Sequence, residues 1–194
     1  MALVFLCPPL AEAHMTVKGM NHFTSGALHP LMTPAHVLVL LSLGLCVGQH
    51  PPLRLKIPLS VFAAASAMAL GWTMTGRIAG VHQAILASVA LAAGAVVAIG
   101  KPLPVWVRAI FCGAGALAIG LDSGADAATG LAVVSTLLGT WLALMLCVLN
   151  GAHYVSLAAE KNKQWIHIGI RVAGSWIVAI SLLVVAFALR KQGH

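Results

Sequence analysis

Long apolar runs separated by short polar gaps make up most of this chain. They cover about 28–48, 57–75, 82–100, 104–122, 128–150 and 166–189, each near the ~20 residues a helix needs to cross a bilayer. The pattern predicts an all-α, polytopic membrane protein whose six-helix transmembrane bundle fills 28–190. Pro30 and Pro34 fall in the first turns of the first run, where proline is tolerated because those amides lack intrahelical partners. Ahead of the runs, MALVFLCPPLAEA at 1–13 has the short apolar stretch and small-x-small ending of a secretory signal peptide cut before His14. Residues 14–27 then form a polar extracytoplasmic segment, and 191–194 a short tail.

Composition sharpens this reading. The chain is 60% hydrophobic and 8% charged, against about 25% charged in soluble domains. A net charge of +7 would suggest nucleic acid in a soluble protein. Here the cations sit mostly in the gaps between runs, so they read as topology signals and no nucleic-acid surface is expected. Arg54, Lys56, Lys101, Arg108, Lys161, Lys163 and Arg171 fall on one side, and Lys18, Arg77, Arg190 and Lys191 on the other. The positive-inside bias then places both termini outside the cytoplasm. Cys46, Cys112 and Cys147 are far apart and read as packing residues. Ala63-Ala64-Ala65, Ala92-Ala93-Gly94, Gly113-Ala114-Gly115 and Gly139 permit close helix contacts.

Only four residues are acidic, and Glu12 and Glu160 lie in the leader and a polar loop. Asp122 and Asp126 stand between two apolar runs, where an ionised carboxylate costs ~2.5–3.5 kcal/mol at mid-bilayer. Their spacing puts both on one face if the helix continues through them; capping of helix ends is the competing reading. His22, His29 and His36 recur every seven residues, about two turns, so His29 and His36 share a face if the prolines do not bend the segment greatly. Six crossings put these histidines and His82 on the side of the two aspartates, and His50, His153 and His167 on the other. Neutral imidazoles with carboxylates can replace the hydration shell of a divalent transition-metal ion. His29, His36, Asp122 and Asp126 are therefore the candidate binding set, with His14 and His22 gathering the ion outside. A lone intramembrane histidine more commonly bonds a neighbouring helix. Met15, Met20 and Met32 read as fillers, Trp72, Trp106 and Trp165 as interfacial anchors, and Asn150, His153 and Tyr154 as a polar helix end.

The stretch Gly26-x-x-His29-Pro30-Leu31 followed by His36, just after a leader that exposes His14, resembles the HupE/UreJ family of hydrogenase and urease accessory membrane proteins. Members carry His, five residues, then Asp-His in their first helix; Ala35 stands here in place of the Asp. Their later Phe-His-Gly-x-Ala-His-Gly-x-Glu corresponds to Leu121-Asp122-Ser123-Gly124-Ala125-Asp126-Ala127-Ala128-Thr129, so Asp122 and Asp126 replace both histidines and Thr129 the Glu. Two fewer imidazoles make the set more tolerant of harder ions. The resemblance implies a nickel or cobalt permease of the bacterial inner (cytoplasmic) membrane, with copper or zinc also compatible, and a metalloenzyme or accessory protein as partner. Without a GxxxxGK[ST] motif, the driving force would be ionic, electrical or supplied by that partner. No enzymatic activity is expected. The alternative is a non-transporting membrane subunit of a metalloenzyme complex; a b-type haem protein would need two histidines facing each other across helices.

Overall fold

The computed structural model describes residues 21–75, 81, 83–124 and 130–192. Among them are seven helices and no strand: α1 (His22–Met32), α2 (Pro34–Gly48), α3 (Lys56–Thr73), α4 (Gln83–Ile99), α5 (Val105–Asp122), α6 (Leu131–Glu160) and α7 (Gln164–Gln192). Three of them, α5, α6 and α7, are long and apolar enough to cross a membrane, or four crossings if α1 and α2 count as one bent span. The leader at 1–13, His14, His82 and Asp126 lie outside the described residues.

The first apolar run is not one helix. It breaks at Thr33, and α1 meets α2 at 76°. The two prolines cause this jointly. Pro34 bars the α conformation at Thr33, whose φ of −96° and ψ of 109° are extended, and then opens α2 at a first-turn position. Pro30 removes the amide that would bond the Gly26 carbonyl. Thr140 of α6, 1% exposed, donates its hydroxyl to that carbonyl instead, at 2.9 Å. Thr140→Val keeps the shape and strands the acceptor; an expected loss of about 1–3 kcal/mol should appear as a lower melting temperature in detergent.

Small residues set the helix crossings. A Cβ on Gly26 would strike the Thr136 carbonyl, and one on Gly139 the Phe23 carbonyl, so α1 and α6 pack backbone against backbone. Gly44 of α2 faces Gly151 of α6, and Gly94 of α4 faces Gly174 of α7 in the same manner. Helix α2 is buried nearly all round, as a centrally placed apolar helix must be. Its Val39, Leu43 and Val47 join Phe62, Leu86, Cys112, Ile119 and Leu144 in the main core. Hydroxyls inside the helices return to their own carbonyls, as with Ser42 to Val39 and Ser66 to Phe62, both at 2.7 Å. That removes the need for water at membrane depth.

The bundle has two chemically distinct ends. At one, Arg108 bonds the Val47 carbonyl at 3.2 Å and the Leu103 carbonyl at 3.1 and 3.2 Å, and Arg171 bonds the Ala98 carbonyl at 3.0 Å. These guanidinium groups satisfy carbonyls at the negative ends of α2 and α4. The reading of both arginines as topology charges alone omitted this capping. Helix α6 continues to Glu160, ten residues past its expected end, so Asn150, His153 and Tyr154 lie along a helix. Asn150 bonds the Leu146 carbonyl at 2.7 Å. At the other end of the bundle, α1, the start of α2 and the finish of α5 converge.

Candidate metal centre

Helix α5 ends at Asp122, and Asp126 lies beyond it, outside the described residues. A carboxylate at a helix C-terminus is opposed by the helix dipole, and two other groups hold it. His36 Nε2 lies 2.9 Å from Asp122 Oδ2, and the Val81 amide donates to Oδ1 at 3.0 Å. His36 is fully buried, while the Asp122 side chain is 22% exposed, so the carboxylate forms the outer edge of the pair.

The protonation pattern follows from donor chemistry. An ionised carboxylate only accepts, so the bond to Asp122 places a proton on His36 Nε2. In the neutral ring Nδ1 then carries the lone pair. That atom is buried with no hydrogen-bond partner among the described residues. This is the form in which a histidine binds a metal through one nitrogen while a carboxylate orients it through the other. The His29 ring stands edge-on to His36, with centroids 5.5 Å apart and planes at 68°. Thus the break at Thr33 leaves the two imidazoles neighbours although they no longer share a straight helix face.

The candidate residues are not all brought together. His36 and Asp122 touch, and His29 adjoins them. His22 is exposed at the first turn of α1, about 10 Å of helical rise from His29. His14 and Asp126 fall outside the described residues, among which no cluster of three or more His, Cys, Asp or Glu side chains is preassembled. What exists is an oriented imidazole, its carboxylate and a second imidazole beside them. The Val81 amide and the Thr140 hydroxyl, which pins α1 on α6, were missed from sequence; both act through backbone pairing that one sequence does not reveal.

The family model for HupE / UreJ protein matches residues 2–184. The chain belongs to the HupE/UreJ family. That family is linked to nickel and cobalt handling for hydrogenase and urease, and with the long apolar helices it marks this chain as a membrane protein. No curated protein and no solved structure matches it. Within this HupE/UreJ chain, Ala35 precedes His36, and the carboxylate against the His36 ring is that of Asp122.

Proposed function

We propose that the chain is a six-helix permease of the bacterial inner membrane, with both termini on the outer side, whose substrate is a divalent transition-metal ion such as nickel or cobalt. The observation that supports this best is the buried His36–Asp122 pair formed across a broken first span. Interrupted membrane helices commonly frame ion sites, because their ends leave backbone groups and dipoles directed at the break. The ion gathers at His14 and His22, exchanges water for His36 Nδ1 and His29, and meets the negative charge of Asp122. Asp126 supplies a second negative charge, matching the ion's +2. The His36 bond to Asp122 holds the ring ready, so binding requires no search among tautomers. Small-residue helix contacts then allow the rearrangement that opens the inward path.

Radiolabelled nickel uptake by proteoliposomes tests the reading. The wild type should exceed protein-free vesicles, and an Asp122→Asn/Asp126→Asn double variant should fall to their level. Equal flux in wild type and variant removes the role given to the carboxylates. Tight binding without any flux supports the alternative, an accessory membrane subunit of a metalloenzyme.

A further inference from the structure

Helices α6 and α7 are joined by the short turn 161–163, and next to it they meet. Ala159, Ile166 and Ile170 share one apolar cluster, with Val155 packed against it. Further along, α7 leans onto α4, where Gly94 and Gly174 bring the two backbones together. That leaves a slot of about 490 Å³ between α6 and α7, floored by α2. Leu45, Val155 and Ala173 line it at the end nearer the turn, and Val37, Cys147 and Ile180 at the other. Each helix lines it over seven or eight residue steps, about 12 Å of rise. The floor is bare backbone where Gly44 meets Gly151, and Leu41 and Trp176 stand on the rim, 55% and 70% exposed. Apart from the Trp176 indole and the Cys147 thiol, the lining is hydrocarbon or glycine.

These dimensions select the occupant. A volume of 490 Å³ spread over about 12 Å gives a section of about 40 Å², half that of a helix ~10 Å across, so a neighbouring helix is too thick to enter. Water finds no partners on such a wall, and apolar cavities take apolar guests. A single hydrocarbon chain also matches in length, because 12 Å is most of the ~15 Å that one leaflet contributes to a bilayer core. Charge then indicates which molecule carries the chain. Lys161 follows Val155 by six residues, about 9 Å of rise, and the turn end of the slot holds Lys161, Lys163 and Arg171 against one acid, Glu160, all of them exposed. Trp165, 69% exposed, stands among them at the level of an interfacial anchor.

We infer that the slot holds one acyl chain of an anionic phospholipid, whose phosphate meets Lys161 and Lys163 while the deep part of the chain lies between α2, α6 and α7. The inference stands on the chain's place in a membrane and not on the permease reading. The full-length wild type tests it in phosphatidylcholine nanodiscs doped with phosphatidylglycerol that carries a photoreactive diazirine at the end of one acyl chain. Illumination should attach the probe to slot residues such as Leu38, Cys147 and Trp176, located by mass spectrometry of the digested protein. Labelling spread evenly over the exposed faces of α3, α5 and α7 overturns the slot.

Phosphatidylcholine with the same photoreactive chain should label the slot less, by about fivefold for each lysine that meets the phosphate. Lys161→Gln/Lys163→Gln should bring phosphatidylglycerol down to that level. Equal labelling by the two lipids in the wild type overturns the anionic headgroup. Ala173→Leu narrows the slot from its turn end and should remove the slot labelling without lowering the melting temperature; labelling that persists in this variant overturns the assignment. So does a wild-type slot covered by a second copy of the chain, seen as a dimer that excludes the probe.

Discussion

Asp122→Asn is expected to weaken nickel binding by about 10–100-fold, the usual consequence of losing a carboxylate behind a metal-binding histidine. The effect acts through the His36 ring. Asparagine has one acceptor oxygen where aspartate has two, and the Val81 amide at 3.0 Å takes it. The asparagine amide then faces His36 Nε2, 2.9 Å away in the native pair, and donates to it. That moves the ring proton to Nδ1 and removes the lone pair that a metal ion would meet. Calorimetric titration with nickel measures the affinity, and nitrogen chemical shifts of the His36 ring report the tautomer. A weakened affinity with the proton still on Nε2 would show that only charge was lost; unchanged affinity would remove Asp122 from the site. His36→Ala, which deletes the proposed ligand, should abolish this binding.

Gly26→Val and Gly139→Val should each prevent stable assembly. A Cβ at either position lands on a backbone carbonyl of the facing helix, Thr136 for the first and Phe23 for the second. No rotamer relieves a clash with backbone, so α1 must separate from α6. It then loses the Thr140 bond to the Gly26 carbonyl. A penalty at or above the ~3 kcal/mol upper range of ordinary overpacking is expected. Gly71→Ala is the control, because nothing lies within 4 Å of its built Cβ, and alanine favours the helix by up to ~1 kcal/mol. Size-exclusion profiles and thermal melts in detergent separate the three. A folded Gly139→Val with a native melting temperature would refute the backbone contact.

Apolar runs at membrane length located α3, α4, α5 and α7 within about two or three residues, because a bilayer selects for length and hydropathy over any finer signal. The break at Thr33 was misread for a physical reason. Each proline is harmless alone in a first helical turn, but two spaced by four remove successive carbonyl partners on one side of the segment and constrain the residue between. His29, His36 and Asp122 were legible because ionisable groups are rare in such runs. Their partners were not: the Val81 amide comes from between α3 and α4, and Thr140 is one hydroxyl among many along apolar helices. Gly113 and Gly115 stand out as a local cluster, whereas Gly44 with Gly151, and Gly94 with Gly174, pair only once helix neighbours are known. Arg108 and Arg171 illustrate the same limit, since side chains counted only as topology charges also bond the carbonyls at helix ends.

The welding of α1 onto α6 through bare backbone restricts how the molecule can work. Helix α1 joins α2 through the extended residue Thr33, and its flank packs bare backbone against a 30-residue neighbour. A displacement of α1 that parts His29 from His36 would carry α6 as well, turning a short arm beside the His36–Asp122 pair into a lever that reaches the opposite face of the bundle.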